Sequence, residues 1–405
     1  MLSRRLILIY GAAFLRSMSI GLLGVVFAVY LSRLGSSSTL IGVVLAAGLA
    51  GSTVATALAN GLARRLGTRQ LLIGAALLSA LGGIGLALLR SPAALVPIAF
   101  VSMLNGMGTD RSVAFAIEQA LIPSLVEDRE RTWALSWYNV ALDTSGALGA
   151  LCGALPVLLQ RWTGMDLLGA YRWVFVGYAA VNLGCTLFYA FLDMGPVGAA
   201  ATPASLPSIS PESKRIVRKI ALLFALDSTG GGFLADALLA YWFFQRFGVN
   251  EKQLGLLFFV VRVFNALSHL GAAWLAKRIG LVRTMVFTHL PSSVFLLLVP
   301  LAPNFGLASL LLLAREALVE MDVPTRQSYV AAVVAPHERV YASTVTNISR
   351  TGAWAVSSSL AGVLMQHVAF SAPLLIGGSL KILYDGLLYR SFRHVKPPEE
   401  RVASG

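Results

Sequence analysis

A run of about twenty apolar residues is long enough to cross the hydrocarbon of a bilayer as one helix. This chain of 405 residues carries twelve such runs, near 6–31, 39–62, 70–89, 94–122, 133–160, 169–193, 219–247, 252–276, 283–302, 304–334, 340–366 and 370–392. In hydrocarbon every backbone N–H and C=O must be bonded within the protein, and a helix achieves that inside a single segment. The runs therefore predict an all-α integral membrane protein of twelve transmembrane helices. Composition agrees, with 57% hydrophobic and only 13% charged residues, about half the charged share of an ordinary soluble domain.

The net charge of +13 does not describe a nucleic-acid face, because the basic residues sort by side of the membrane. Threading the runs puts Arg4, Arg5, Arg64, Arg65, Arg69, Lys277, Arg278 and Arg283 with most others on one side, against Arg33, Arg90, Arg161, Arg172, Arg246 and Lys252 on the other. Excess Lys and Arg marks cytoplasmic loops, so both termini are expected in the cytoplasm, with the chain in the cytoplasmic (inner) membrane. No nucleic-acid partner is expected. The apolar run after Arg4 and Arg5 continues to Leu31, which makes the N-terminus an uncleaved first span rather than a signal peptide. Cys152 and Cys185 both lie in apolar runs and imply no disulfide.

The chain is one unit written twice. "LARRLG" at 62–67 returns as "LAKRIG" at 275–280, and the same offset of 213 pairs Arg33 with Arg246, Gly35 with Gly248 and Gly42 with Gly255. "ERTWALSWYN" at 130–139 returns as "ERVYASTVTN" at 338–347, with the offset reduced to 208. Between the copies, "MGPVGAAATPASLPSISPESKRIVRK" is rich in Pro, Ser and small residues and reads as a linker. The expected organisation is a six-helix bundle over 1–193, a cytoplasmic linker over 194–218, a second six-helix bundle over 219–393 and a cytoplasmic tail over 394–405. Internal repeats of this kind are typical of transporters.

This pattern resembles the major facilitator superfamily. Its loop signature, G-x-L-A-D-R-x-G-R-R/K between spans 2 and 3 and again between spans 8 and 9, is similar to "NGLARRLGTR" at 60–69 and "AAWLAKRIGL" at 272–281. Arg65, Gly67, Arg69, Arg278 and Gly280 match and are the expected gating-loop residues, while the family's acidic position holds Arg64 and Lys277. Without the family, the same loops read as glycine turns between antiparallel helices, anchored by arginine. They serve either as a topology anchor or as a state-dependent latch. "NGMG" at 105–108 and the glycines Gly146, Gly149 and Gly153 before Pro156 resemble segments of drug-efflux members, with Ser102 where a basic residue is usual and no Gly-Pro pair. Small residues at such spacing also simply allow close helix packing.

Ionisable residues inside spans are costly and tend to face a cavity or a partner. Arg16, Arg262 and Arg350 are the expected anion-attracting groups, Asp143 a substrate or cation group, and Asp236, Glu320 and Glu118 the proton-coupling candidates. Arg16 needs a partner on another helix, either Asp110, Asp143 or a substrate anion. Lys381 and Asp385, four apart, are expected to neutralise each other, Asp227 to be interfacial, and Gly230 to Gly232 to weaken span 7. Tyr138 and Trp354, with Trp137 and Tyr241, offer stacking surface for an aromatic solute and read equally as packing residues. The five histidines are scattered, and no phosphate loop, metal cluster or nucleophile motif is present, so neither enzyme activity, cofactor nor metal is expected. The resulting expectation is a monomeric secondary transporter of a small organic solute working by alternating access, as a proton-coupled efflux antiporter. Proton-coupled uptake of an organic anion, or a transporter-fold ligand sensor, are the alternatives.

Overall fold

A computed structural model describes residues 4–110, 112–127, 131–193, 210–322, 326, 334 and 338–392. Arg111, most of the linker and the 394–405 tail lie outside the described residues. The first six spans are α1 (Arg4–Arg33), α2 (Ser38–Leu66), α3 (Thr68–Leu88), the pair α4 (Leu95–Ser102) and α5 (Val113–Leu121), the pair α6 (Arg131–Cys152) and α7 (Leu155–Thr163), and α8 (Leu167–Ala190). The second six are the pair α9 (Pro211–Gly232) and α10 (Asp236–Phe247), then α11 (Glu251–Ile279), α12 (Leu281–Leu298), α13 (Phe305–Val319), α14 (Arg339–His367) and α15 (Ala372–Phe392). Each expected span holds a helix. Among the described residues, seven are long and apolar enough to cross a membrane on those grounds alone.

Helix ends follow the local sequence. Ser37, Ser112, Asp166, Ser210 and Asn304 each cap the helix they precede by accepting a backbone N–H. α9 starts at Pro211, inside the stretch expected as linker, because Ser210 caps it and buried Glu338 accepts from Ser210 N at 2.8 Å and from Ser213 Oγ at 2.5 Å. The repeated turns match in backbone as well as in letters. Gly67 has φ 91° and ψ 145°, and its counterpart Gly280 has φ 87° and ψ 163°. That conformation is almost closed to residues with a Cβ.

The chain divides into two compact units, and the division does not follow the sequence halves. One unit contains 1–204 together with 235–262 and 358–366; the other contains 205–234, 263–357 and 367–405. In the first unit α1 packs on α6 through Gly21, Gly146 and Gly149, where an added Cβ would strike the facing backbone carbonyls of Gly146 and Met18. The efflux-like glycines of span 5 thus have a packing role here. α2 crosses α4 in the same manner, Gly48 facing the Leu104 carbonyl and Gly51 the Phe100 carbonyl. In the second unit α9, α12 and α15 pack around Ile220, Phe224, Met285, Tyr384 and Leu388. Leu88, Trp173, Leu187, Leu222 and Leu310 point outward and stay exposed, as a lipid-facing surface requires.

Candidate functional site

The first unit is organised around Arg16, halfway along α1 and buried. Its Nε donates to Asp110 Oδ2 at 2.7 Å, Nη1 to Glu118 Oε1 at 3.1 Å and Nη2 to Glu118 Oε2 at 2.6 Å. Nη1 also reaches the Tyr189 hydroxyl, and Nη2 the Tyr138 hydroxyl at 3.4 Å. All five guanidinium N–H groups therefore have a partner. The two tyrosines in turn donate to Glu118, Tyr138 at 2.7 Å and Tyr189 at 2.6 Å. Glu118, with no exposed surface, accepts from four donors on α1, α6 and α8. The break between α4 and α5 makes this possible. Asp110 accepts Ser112 N at 2.9 Å to start α5, which aims Asp110 and Glu118 at the same guanidinium. A cavity of about 30 Å³ lies beside Arg16, lined by Ser19, Asn105, Asn182 and Tyr189 among others, room for about two waters.

Asp236 and Arg262 also belong to this unit. They pair with each other next to Gly108, whose φ is 76°, and a Cβ on Gly108 would collide with both side chains. The "NGMG" segment is shaped for that approach: Asn105 accepts Met107 N and donates to Thr109 O, both at 2.8 Å, while Gly106 O accepts Ala237 N at 3.0 Å. Nearer the Gly35 turn, Glu251 is fully buried and accepts from Arg33 Nε and the Tyr171 hydroxyl, each at 2.6 Å. Of the other expected residues in this unit, Asp143 is half-buried on α6, and Tyr138 has its ring packed beside Phe115 and Tyr10. Arg65 and Arg69 are exposed at the Gly67 turn, where Arg69 donates to the Ala190 carbonyl.

The second unit carries a longer buried chain of charges. Lys381 Nζ donates to Asp227 Oδ1 at 2.7 Å, Arg326 stands 3.5 Å from Asp227 Oδ2 and 2.7 Å from Asp322, and His289 Nδ1 lies 3.0 Å from Asp385. This departs from one expectation. Lys381 does not pair with Asp385, because Asp227 on α9 and His289 on α12 lie closer to the two heads than they lie to each other. Asp227 is buried within the protein, 5% exposed. Arg350 donates to Ser228 Oγ at 3.3 Å and stacks 4.8 Å over the Trp354 ring. The glycine run does end α9: Gly231 and Gly232 lie against Trp354 on α14, and a Cβ on Gly230 would stand 2.9 Å from the Gly377 carbonyl oxygen. Glu320 is half-buried at the end of α13. At the Gly280 turn, Arg278 covers the Trp274 ring at 4.1 Å.

The sequence reading missed Tyr189, Glu251 and the His289–Asp385 pair. A tyrosine in an apolar span gives no sign that its hydroxyl will meet a carboxylate, and Glu251 looks like an ordinary first-turn acid. His289 stands in "FTHLPSS", where only the following Ser292 and Ser293 hint at a polar interior.

This arrangement of paired broken helices and buried charges is that of a membrane transporter. The sequence model of the Major Facilitator Superfamily matches residues 9–314 and 220–405, and the chain belongs to that family. It is 26% identical to the uncharacterized membrane protein YJR124C of Saccharomyces cerevisiae, over 95% of this chain and 93% of the yeast protein. Its fold is that of the inward-open xylose transporter XylE from E. coli, at TM-score 0.74 and 15% identity, with 98% of each chain covered. A point mutant of the nucleoside transporter NupG is similar at TM-score 0.74 and 12% identity, covering 96% of this chain and 99% of that one. The chain is thus an integral membrane transporter of a solute, all-α, with the twofold internal repeat of its family.

Proposed function

We propose that the chain exports a small organic solute in exchange for protons, with Glu118 as the proton-carrying carboxylate of the first bundle. One observation carries the coupling: Asp110 and Glu118 share one guanidinium, so among the described residues the cluster holds two formal negative charges against one positive. Unbalanced charge in a low-dielectric interior is expensive, and a proton is the simplest ligand that removes it. The same geometry weighs against Arg16 as the receptor for a substrate anion, since its five N–H groups are already committed inside the bundle. Asp236 pairs with Arg262 next to Gly108, which makes it a weaker proton candidate than Glu118. Within the second unit, Arg350 over Trp354 supplies a cation and an aromatic face for a solute. Export is supported by the resemblance of 105–108 and 146–156 to drug-efflux segments. The basic loops support cytoplasmic termini in the inner membrane, and we take the working unit to be a monomer.

The test uses purified protein in liposomes loaded with a pH-sensitive dye, acid inside. Adding tetraphenylphosphonium outside should raise the internal pH faster than in empty liposomes, and Glu118→Gln should slow that rise tenfold or more. Benzoate that protects the protein against heat, with protection lost in Arg16→Ala, would replace this reading by uptake of an organic anion. Binding of either probe by the unmutated protein without any flux would make the protein a ligand sensor.

A further inference from the structure

Proton coupling through Glu118 leaves the buried charges of the second unit without a task. Asp227, Asp322 and Asp385 provide three carboxylates there, and Lys381 and Arg326 two fixed cations. His289 is the sixth member, 1% exposed, with its two ring nitrogens set between Asp385 and Asp227. The groups facing it come from α15 and α9, while α13, also packed on α12, carries buried Arg315 and Glu316, which pair with each other. Asp385, Lys381 and the Tyr384 ring, 5.9 Å away and edge-on, come from α15, and Asp227 comes from α9. Beyond Asp227 stand Arg326 and Asp322, with half-buried Glu320 adding negative charge near Arg326.

With Asp385 ionised, Nδ1, which lies 3.0 and 3.1 Å from its two oxygens, carries the hydrogen and donates it. Nε2 then holds the lone pair and accepts from Lys381 Nζ at 3.5 Å, with Asp227 Oδ1 at 3.7 Å. The Tyr384 hydroxyl is buried nearby with no hydrogen-bond partner among the described residues.

We propose that His289 is a second proton-binding site, taking a proton at Nε2 to form an imidazolium held between Asp385 and Asp227. This rests on the transport reading only for its purpose, not for its chemistry. The proton adds to the Nε2 lone pair and leaves by the same route, and no other bond changes. Once Nε2 carries hydrogen it can donate to Asp227, and its charge repels Lys381, which weakens the 2.7 Å bond of Lys381 to the same oxygen. Asp227 stands one turn before the glycines that end α9. The change at Asp227 therefore acts beside the end of that helix.

The test is nuclear magnetic resonance of protein labelled with ¹⁵N-histidine in lipid nanodiscs, with the His289 signal assigned by its loss in His289→Gln. A variant with Gln at positions 269, 337, 367 and 394 keeps His289 and its neighbours intact, and assigns the signal even if His289→Gln does not fold. The signal should pass reversibly from the Nδ1–H neutral form to imidazolium as the pH is lowered. Asp385→Asn, which removes an attracting charge, and Lys381→Met, which removes a repelling one, should move that passage in opposite directions. A ring that keeps one form throughout the titration overturns the proposal. So does a midpoint that moves the same way in both variants. Liposome assays separate this from the transport reading. Titration of His289 without proton flux keeps the site and rejects the coupling, whereas proton flux with a silent His289 does the reverse.

Discussion

Two buried charge clusters, one in each unit, join the first span of a repeat to its fourth, but with opposite polarity. In the first unit the cation is on the first span and the acid on the fourth, Arg16 to Glu118 at 2.6 Å. In the second the acid is on the first span and the cation on the fourth, Asp227 to Arg326 at 3.5 Å. The offset of 208 relating the two halves in this region sets Arg326 at the position of Glu118. Duplication has thus kept the place of the charge and reversed its sign. What the bundle needs there is a cross-helix ion pair, and either polarity supplies it. The clusters differ in what surrounds the pair. Two tyrosines close the first, while a histidine and a lysine extend the second. The first is a carboxylate held by donors; the second contains an imidazole whose Nε2 faces Lys381.

The largest effect should come from breaking the first pair. Arg16→Ala leaves Asp110 and Glu118 buried without their cation, and loss of one partner of a buried ion pair costs about 3–5 kcal/mol. Thermal unfolding in detergent measures it. If polarity is free, as the second unit indicates, Arg16→Glu combined with Glu118→Arg should be more stable than the sum of the single changes by about 0.5–3 kcal/mol. A double variant no better than that sum would mean that the tyrosines, not the charges, set the arrangement.

Gly108→Ala comes next. The left-handed backbone at φ 76° costs a residue with a Cβ about 1–2 kcal/mol. The methyl also occupies the space of Asp236 and Arg262, and losing that charged hydrogen bond adds about 1.5–3 kcal/mol. Transport should fall along with stability. Normal flux in the Gly108→Ala variant would show that the Asp236–Arg262 pair is dispensable for movement.

Smaller still, and sharper, is the comparison of the two turns. Gly67→Ala and Gly280→Ala should each cost about 1–3 kcal/mol, since both glycines use a region reserved for residues without a Cβ. If the turns are true copies, the two costs should agree within about 0.5 kcal/mol. A difference of several times that would mean that one turn is supported by contacts the other lacks.

These turns were the most legible part of the chain, and the charge network the least. Spans, repeat and glycine turns are local or periodic properties, so composition and spacing reveal them. "SPES" at 210–213 was legible too, as a serine cap before a proline at the first helical position, yet its polarity suggested linker. Partner choice is different. Lys381 and Asp385 share a helix face, and in isolation that spacing favours pairing by only about 0.2–0.5 kcal/mol. Any buried group from a neighbouring helix outweighs so small a preference, and Asp227 and His289 do. The Arg16 cluster was half legible: a lone arginine in a span demands an acid, and Asp110 was a candidate, but nothing in the sequence marks Tyr189 as a donor to Glu118.

The smallest expected change is at Arg64, where the family places an acid. Its side chain is exposed on the last turn of α2, so Arg64→Asp should alter stability by no more than about 0.5 kcal/mol. A carboxylate at a helix C-terminus is mildly unfavourable, so the sign should be destabilising. The informative quantity is the transport rate. If the basic residue takes part in a latch that must form and break in each cycle, the substitution should slow transport without changing the fold. If Arg64 only anchors the loop on the cytoplasmic side, Arg65 and Arg69 remain to do so, and the rate should stay as it was. Faster transport by the Arg64→Asp variant would count against the latch, since it would show that a working cycle does not need the basic residue.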